Sequence, residues 1–250
     1  MKYYIAGCVF TAQFPELSGK IQDYAASHGD LQTVRCCVPG WRTDYYEEKM
    51  PPGACAQSWR ALPQSAVFSP EDSLWSLCPN CLNLAEEWRG VREVHSLWEL
   101  LDQDEAFPLP DYSGVCVTVQ DCWRLRDRSV THEAVRSLLS KMNLRFLELP
   151  ANREKADFCG KSLYRPQVAR NPQLAPKHYR ENAAGLFEPH TEEEQMRLMR
   201  EYCRRYETKA VVCCCHYCLE GILAGGANGL HIAQLLFEPE KCRRALQETE

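Results

Sequence analysis

The chain has 250 residues, 45% of them hydrophobic and 25% charged, which suits one large domain or two small similar ones with a real core. A net charge of −5 argues against nucleic acid or an acidic membrane surface as the main partner. No apolar run approaches the ~18 residues of a membrane span, and the opening Met1–Phe10 reads as a first strand and not a signal peptide, so a cytoplasmic protein is expected.

Cysteine is the outlier, with fifteen in the chain. An odd, high count without a secretory leader points to metal or thiol chemistry more than to disulfides. Cys55, Cys116, Cys203 and Cys242 stand alone and suit packing as small apolar residues. The pairs are different. Cys36–Cys37, Cys78-Pro79-Asn80-Cys81 and the run Cys213-Cys214-Cys215-His216-Tyr217-Cys218 bring thiols close enough to converge on one metal across a tight turn.

In chain order, Tyr3-Tyr4-Ile5 reads as a strand ending near Cys8, and Phe14, Leu17, Ile21 and Tyr24 recur at helical spacing. Cys36–Cys37 follow, then a short apolar stretch Ala66-Val67-Phe68, the Cys78/Cys81 pair, and His95 before Leu100-Leu101. Phe107-Pro108-Leu109-Pro110 reads as a linker over 107–114, dividing a first half at 1–106 from a second at 115–250. The second half opens on a strand at Val115–Val119 ending near Cys122. Val130, Ala134, Val135, Leu138, Leu139 and Met142 then mark a helix, and Leu144, Phe146, Leu147 and Leu149 a strand leading towards Cys159.

A polar, proline-rich stretch near 161–190 reads as an insertion, either a lid or a surface excursion. A helix is expected over roughly 192–206, with Thr191 as N-cap and Glu192, Glu193 and Glu194 suiting its positive end. Val211-Val212 is a buried strand entering the Cys215/Cys218 pair. Gly225-Gly226 stop the next helix, and His231 precedes Leu235-Leu236.

The order is the same in both halves: a cysteine after a strand, a second cysteine station, a CxxC pair, then a histidine before paired leucines. Four matching stations argue duplication. Alternating strands and helices imply an α/β fold of two βαβ-type halves with mainly parallel sheets, and the cysteines fall at the strand carboxyl ends, where such sheets gather functional groups.

These stations resemble the cysteine-rich CCG domain family, which includes the B subunit of heterodisulfide reductase. Its members carry a single cysteine, a Cys-Cys pair and a CxxC, often in two copies. The resemblance covers nearly the whole chain apart from the insertion and the last dozen residues. The first copy would be Cys8, Cys36, Cys37, Cys78 and Cys81, with the pair followed by Val38-Pro39-Gly40; the second would be Cys122, Cys159, Cys215 and Cys218, with Phe158 where the pair's first cysteine belongs. The resemblance implies a non-cubane 4Fe–4S cluster on the five cysteines, with Cys36 and Cys37 at the chemistry. The four would hold a cubane 4Fe–4S cluster or zinc. Cys213 and Cys214 stay open as a substitute fifth ligand, although strand alternation separates their side chains.

Around the stations, His95 and His231 suit packing or capping, and His216 suits a hydrogen bond to thiolate sulfur. Trp41, Arg42, Trp123 and Arg124 directly follow cysteine stations; the tryptophans could shield a centre, and the arginines tune its charge or meet an anion.

Three functions are compatible with this pattern. One is an iron–sulfur oxidoreductase, or its catalytic subunit, acting on a thiol, disulfide or related small substrate. Another is an electron-transfer subunit without a substrate of its own. The third is a structural zinc protein, disfavoured by five thiolates where zinc takes four. No glycine-rich turn follows the first strand, so flavin and nicotinamide are not expected and electrons would come from a partner protein. The first function is favoured.

Overall fold

The computed structural model describes residues 1–28, 31–41 and 43–247, with Arg89 and Gln247 described by their backbone alone. The chain forms two compact units, Met1–Leu97 with Gln173–Lys177, and Trp98–Pro172 with His178–Glu250.

In the first unit, strands β1 (Lys2–Ile5), β2 (Gln32–Val34), β3 (Ser73–Ser76) and β4 (Glu93–Ser96) form an all-parallel sheet in the order β2-β1-β3-β4. The chain passes between them through α1 (Cys8–Gln13), α2 (Pro15–Ser27), α3 (Asp44–Glu47), α4 (Ala54–Ala61) and α5 (Pro79–Arg89). The helix expected from Phe14 to Tyr24 is α2, which buries Leu17, Ile21 and Tyr24.

Helix α6 (Leu97–Gln103) begins where the first unit ends. From Trp98 onward it belongs to the second unit, where Trp98 meets the His231 ring at 5.8 Å. The second unit repeats the topology with β5 (Cys116–Gln120), β6 (Arg145–Glu148), β7 (Ala210–Cys213) and β8 (Gly229–His231), all parallel, in the order β6-β5-β7-β8. Its helices are α7 (Ser129–Lys141), the start of α8 (Arg170–Leu174, of which Gln173 and Leu174 belong to the first unit), α9 (Glu192–Cys203), α10 (His216–Ala224), α11 (Ile232–Phe237) and α12 (Pro239–Gln247). The fold is therefore α/β with two βαβ-type units, as the alternation in the sequence implies.

The central strands are buried on both faces. Tyr4, Ile5, Val117, Val119, Val211 and Val212 are at most 1% exposed, as expected of a parallel sheet covered by helices. Each such side chain contributes about 1.5–3 kcal/mol by leaving water. Helix α9 starts as expected: Thr191 Oγ1 accepts from the Glu194 N–H and the Glu194 carboxylate accepts from the Thr191 N–H, a reciprocal cap.

One local expectation shifts. The first-unit counterpart of β7 is β3, Ser73-Leu74-Trp75-Ser76, and not the apolar stretch at 66–68, where no strand forms. The histidine stations lie in or at the end of short strands: His95 in β4, stacked on Trp75 at 5.4 Å, and His231 at the end of β8. His231 is also the cap of α11, its Nδ1 accepting from the Ala233 N–H at 3.2 Å. Among the described residues, no helix is long and apolar enough to cross a membrane.

Candidate metal centre

The second unit holds four buried thiols in one knot. Cys122 follows β5 and Cys215 follows β7, both at the carboxyl edge of the sheet. Cys218 lies in the first turn of α10, and Cys159 arrives on the loop after β6. Their sulfurs all lie within 4.8 Å of one another, with Cys122 to Cys159 at 3.5 Å and Cys159 to Cys215 at 3.8 Å. This set can hold a metal.

Gly160 is what brings Cys159 in. It sits at φ +57°, and a Cβ there would lie 2.2 Å from the Tyr217 carbonyl oxygen and 2.9 Å from Gly221 Cα. Two glycines, one after Cys159 and one on α10, thus let the loop touch the helix that carries Cys218. The loop is further tied by Ser162 Oγ donating to the Cys159 carbonyl at 2.7 Å and by the Trp123 N–H donating to the Phe158 carbonyl at 3.2 Å. Phe158 stacks on Tyr202 with ring centroids 4.1 Å apart.

Arg124 is buried beside the thiols, its Nη1 donating to Cys159 Sγ, and its guanidinium lies over the Trp123 and Tyr217 rings at 4.7 and 5.5 Å. Burial works against a guanidinium charge, but Cys159, Tyr179, Cys122 and Cys215 hold it protonated. Burial likewise works against a charge on Cys159. Hydrogen bonding from Cys122, Cys215 and Cys218, with Arg124 beside it, nevertheless holds that thiol well below its ordinary range. Cys122 and Cys218 are pushed well above it, by burial first and by their thiol neighbours next. Cys159 therefore ionises more readily than Cys122 or Cys218, and those two must give up their protons for a cation to bind the set.

Cys213 and Cys214 are buried outside this group. Cys213 Sγ donates to the Cys215 carbonyl at 3.5 Å, and Cys214 feels Asp121 and Arg136. His216 is fully buried, with neither ring nitrogen hydrogen-bonded among the described residues; burial, then Arg124, pushes its pKa down to about 4, so it is neutral. The insertion covers Trp123, against which Tyr179 and Phe187 each set a ring edge at 5.7 Å.

In the first unit, Cys8 opens α1, Cys36 and Cys37 follow β2, Cys78 follows β3, and Cys81 lies in the first turn of α5. All are buried except Cys8, which is half-buried. Cys8 hydrogen-bonds Cys36 and feels Cys37 and Cys78, while Cys81 hydrogen-bonds Cys37 and Cys78. The five thiols thus neighbour one another pairwise, while among the described residues the set whose donors all lie within 4.8 Å is the second unit's four. For both Cys8 and Cys81, thiol partners come first and burial next in pushing the pKa well above the ordinary value. Gly7, at φ +78°, turns the chain from β1 into α1; a Cβ there would stand 3.3 Å from Cys78 Cβ.

Several supporting residues were not legible as such in the sequence. Gln64 clamps the loop carrying the cysteine pair. Its amide donates to the Val38 and Trp41 carbonyls at 3.4 and 3.1 Å and accepts from the Gly40 N–H at 3.2 Å, and its carbonyl accepts from the Cys36 N–H at 2.9 Å. Ser76 Oγ bridges the Ile5 carbonyl and the Cys78 N–H at 2.9 and 3.1 Å. In the second unit, Asp121, next to Cys122, is gripped by Arg136 at 2.8 and 2.6 Å, and Arg136 also holds Glu148 at 2.9 and 2.7 Å. A glutamine in a polar loop has no local signal for such a role; an acid beside a cysteine station was a signal that could have been used. Cys55, Cys116, Cys203 and Cys242, read as packing residues, are not members of the second unit's thiol group. Arg42 lies outside the described residues.

No family model and no curated protein matches the chain. The CCG resemblance therefore rests on the cysteine order itself.

Proposed function

We propose that the chain is a two-centre metalloprotein of the CCG type, working as an iron–sulfur oxidoreductase or as the catalytic subunit of one. The observation that supports this reading is the buried four-thiol set at the carboxyl edge of the second parallel sheet, together with five cysteines placed after the corresponding strands of the first, one more than a closed tetrahedral site takes. Cys8, Cys36, Cys37, Cys78 and Cys81 would hold a non-cubane 4Fe–4S cluster, which supplies single-electron chemistry at sulfur. Cys36 and Cys37, on the loop that Gln64 fixes, would lie where a small thiol or disulfide substrate is turned over. Electrons would come from a partner protein or subunit.

For the second centre, Cys122, Cys159, Cys215 and Cys218 fit a single tetrahedral ion such as zinc. Sulfur bonds of ~2.3 Å in tetrahedral geometry place thiolates about 3.8 Å apart, close to the 3.5 and 3.8 Å separations here. A four-iron cubane interposes its own cage of iron and sulfide and needs its thiolates farther apart. The sulfur spacing therefore supports zinc over the cubane alternative, with a structural role for this centre. An electron-transfer subunit with no substrate of its own is the second reading of the whole chain.

The test is anaerobic isolation followed by iron, zinc and sulfide analysis with EPR. About four irons with sulfide and one zinc per chain are expected. Two zincs and no sulfide after reconstitution would leave the structural zinc protein in place of this reading.

A further inference from the structure

Arg124 stands two residues after Cys122, as Phe10 stands two after Cys8 in the first unit. Both side chains are buried, Phe10 completely and Arg124 with 5% of its surface exposed. An apolar ring therefore satisfies this position in one unit, while a cation occupies it in the other. Taking a guanidinium out of water is costly unless an anion stands beside it.

What stands beside Arg124 is the four-thiol set. Its Nη1 donates to Cys159 Sγ and meets Ser162 Oγ at 3.5 Å, and Ser162 is itself tied to the Cys159 carbonyl. The Trp123 and Tyr217 rings, 4.7 and 5.5 Å from the guanidinium, lie within cation–π reach. Trp123 adjoins Cys122 and Tyr217 adjoins Cys218 in the chain, so the segments that carry the thiols also fix the guanidinium. Four thiolates around a divalent ion leave two surplus negative charges in a dry interior. A guanidinium bonded to one of the sulfurs halves that surplus, and its hydrogen bond to a thiolate is of the strong, charge-assisted kind.

We infer that Arg124 is the charge-compensating partner of the second centre, holding the Cys159 sulfur by a hydrogen bond and setting the site to take a divalent ion on all four thiolates. The inference rests on the reading of Cys122, Cys159, Cys215 and Cys218 as a metal site. Without this cation the loaded site keeps its full surplus charge and binds the ion more weakly. Loss of a positive charge beside the sulfur also raises the energy of its lone pairs, which moves sulfur-to-metal charge transfer to longer wavelength.

The test titrates the full, reduced chain with Co(II) and then displaces the cobalt with zinc. Cys159→Ser comes first, because the difference between its cobalt spectrum and the parent's isolates the second centre. No difference there defeats the metal reading of the four cysteines and this inference with it. With that centre present, three variants divide the role of Arg124: Arg124→Lys keeps the charge, Arg124→Gln keeps a donor without charge, and Arg124→Met keeps neither. The two neutral variants should bind both ions roughly ten- to 100-fold more weakly, as loss of a ligand's outer partner commonly costs, and should shift the charge-transfer bands to longer wavelength. Arg124→Lys should bind more tightly than either, with bands near the parent's. Urea unfolding without metal identifies the variants that fold, and two neutral side chains of different shape guard against a folding defect in one. Parent-like affinity and bands in a folded neutral variant, or a folded lysine variant as weak as the neutral ones, would overturn the role of Arg124 and leave the metal reading standing.

Discussion

Replacing Gly160 with alanine tests whether the contact between the Cys159 loop and α10 assembles the four-thiol site. The residue sits at φ +57°, where a side chain costs ~1–2 kcal/mol on local grounds alone. Its new Cβ would also lie 2.2 Å from the Tyr217 oxygen and 2.9 Å from the Gly221 nitrogen and Cα, all backbone atoms that cannot rotate away. Overpacking of that kind adds ~1–3 kcal/mol, for a total of about 2–5 kcal/mol. Gly226→Ala is the control. It has a positive φ of 84° but nothing within 4 Å, so only the local cost applies. The assay is denaturant unfolding of the metal-loaded chain, with a chelator competition for the second centre. Gly160→Ala should be less stable than Gly226→Ala by about 1–3 kcal/mol and should bind its metal more weakly by a similar margin, roughly five- to 150-fold, since tenfold corresponds to about 1.4 kcal/mol. Equal losses of stability and unchanged metal affinity in the two variants would refute the reasoning, because the close approach would then contribute nothing.

Cys213→Ala and Cys214→Ala should each retain the second centre's metal content and spectrum and lose at most ~1–2 kcal/mol of packing, since neither belongs to the four-thiol group; metal analysis with unfolding measurements checks this. Burial opposes ionisation of Asp121, but Arg136 hydrogen-bonds it and holds its pKa below the ordinary carboxylate value. The stability from this pair is therefore present above the unfolded pKa of about 3.9 and is lost as pH falls through the lower folded value. Arg136→Met should cost about 3–5 kcal/mol near neutral pH, because Asp121 is left as an unpaired buried charge, and should flatten the acid limb of the stability–pH curve; urea titrations across pH read both.

What could be read in the sequence followed local pattern. Val117, Val119, Val211 and Val212 announce strands buried on both faces, and Thr191 with Glu194 announces the start of α9. Strand β3 was missed because Ser73-Leu74-Trp75-Ser76 alternates small polar and large apolar residues over only four positions, while the more apolar Ala66-Val67-Phe68 beside it stays irregular and leaves Val67 in solvent. The cysteine stations were legible because closely spaced thiols have few uses in a chain of this kind. Gln64 and Arg136 were not, since each acts through a partner remote in sequence: the loop after β2, and the acid just after β5. The four thiols of the second unit were legible as a set, but the Gly160–Gly221 approach that closes it depends on two helix-and-loop surfaces meeting.

The CxxC pairs have a consequence for order. Cys78 and Cys215 occupy the position just before α5 and α10, and neither supplies a side-chain cap hydrogen bond, although the first-turn N–H groups of a helix need acceptors. Thiolates fixed there by a cation would bring negative charge to the positive end of each helix, so a loaded centre would do the work that serine or aspartate does elsewhere. Occupancy and helical order would then be linked reciprocally. Stripping the cation should fray the opening turns of α5 and α10 and speed amide exchange there first, while α9, closed by its own Thr191 and Glu194, should not respond.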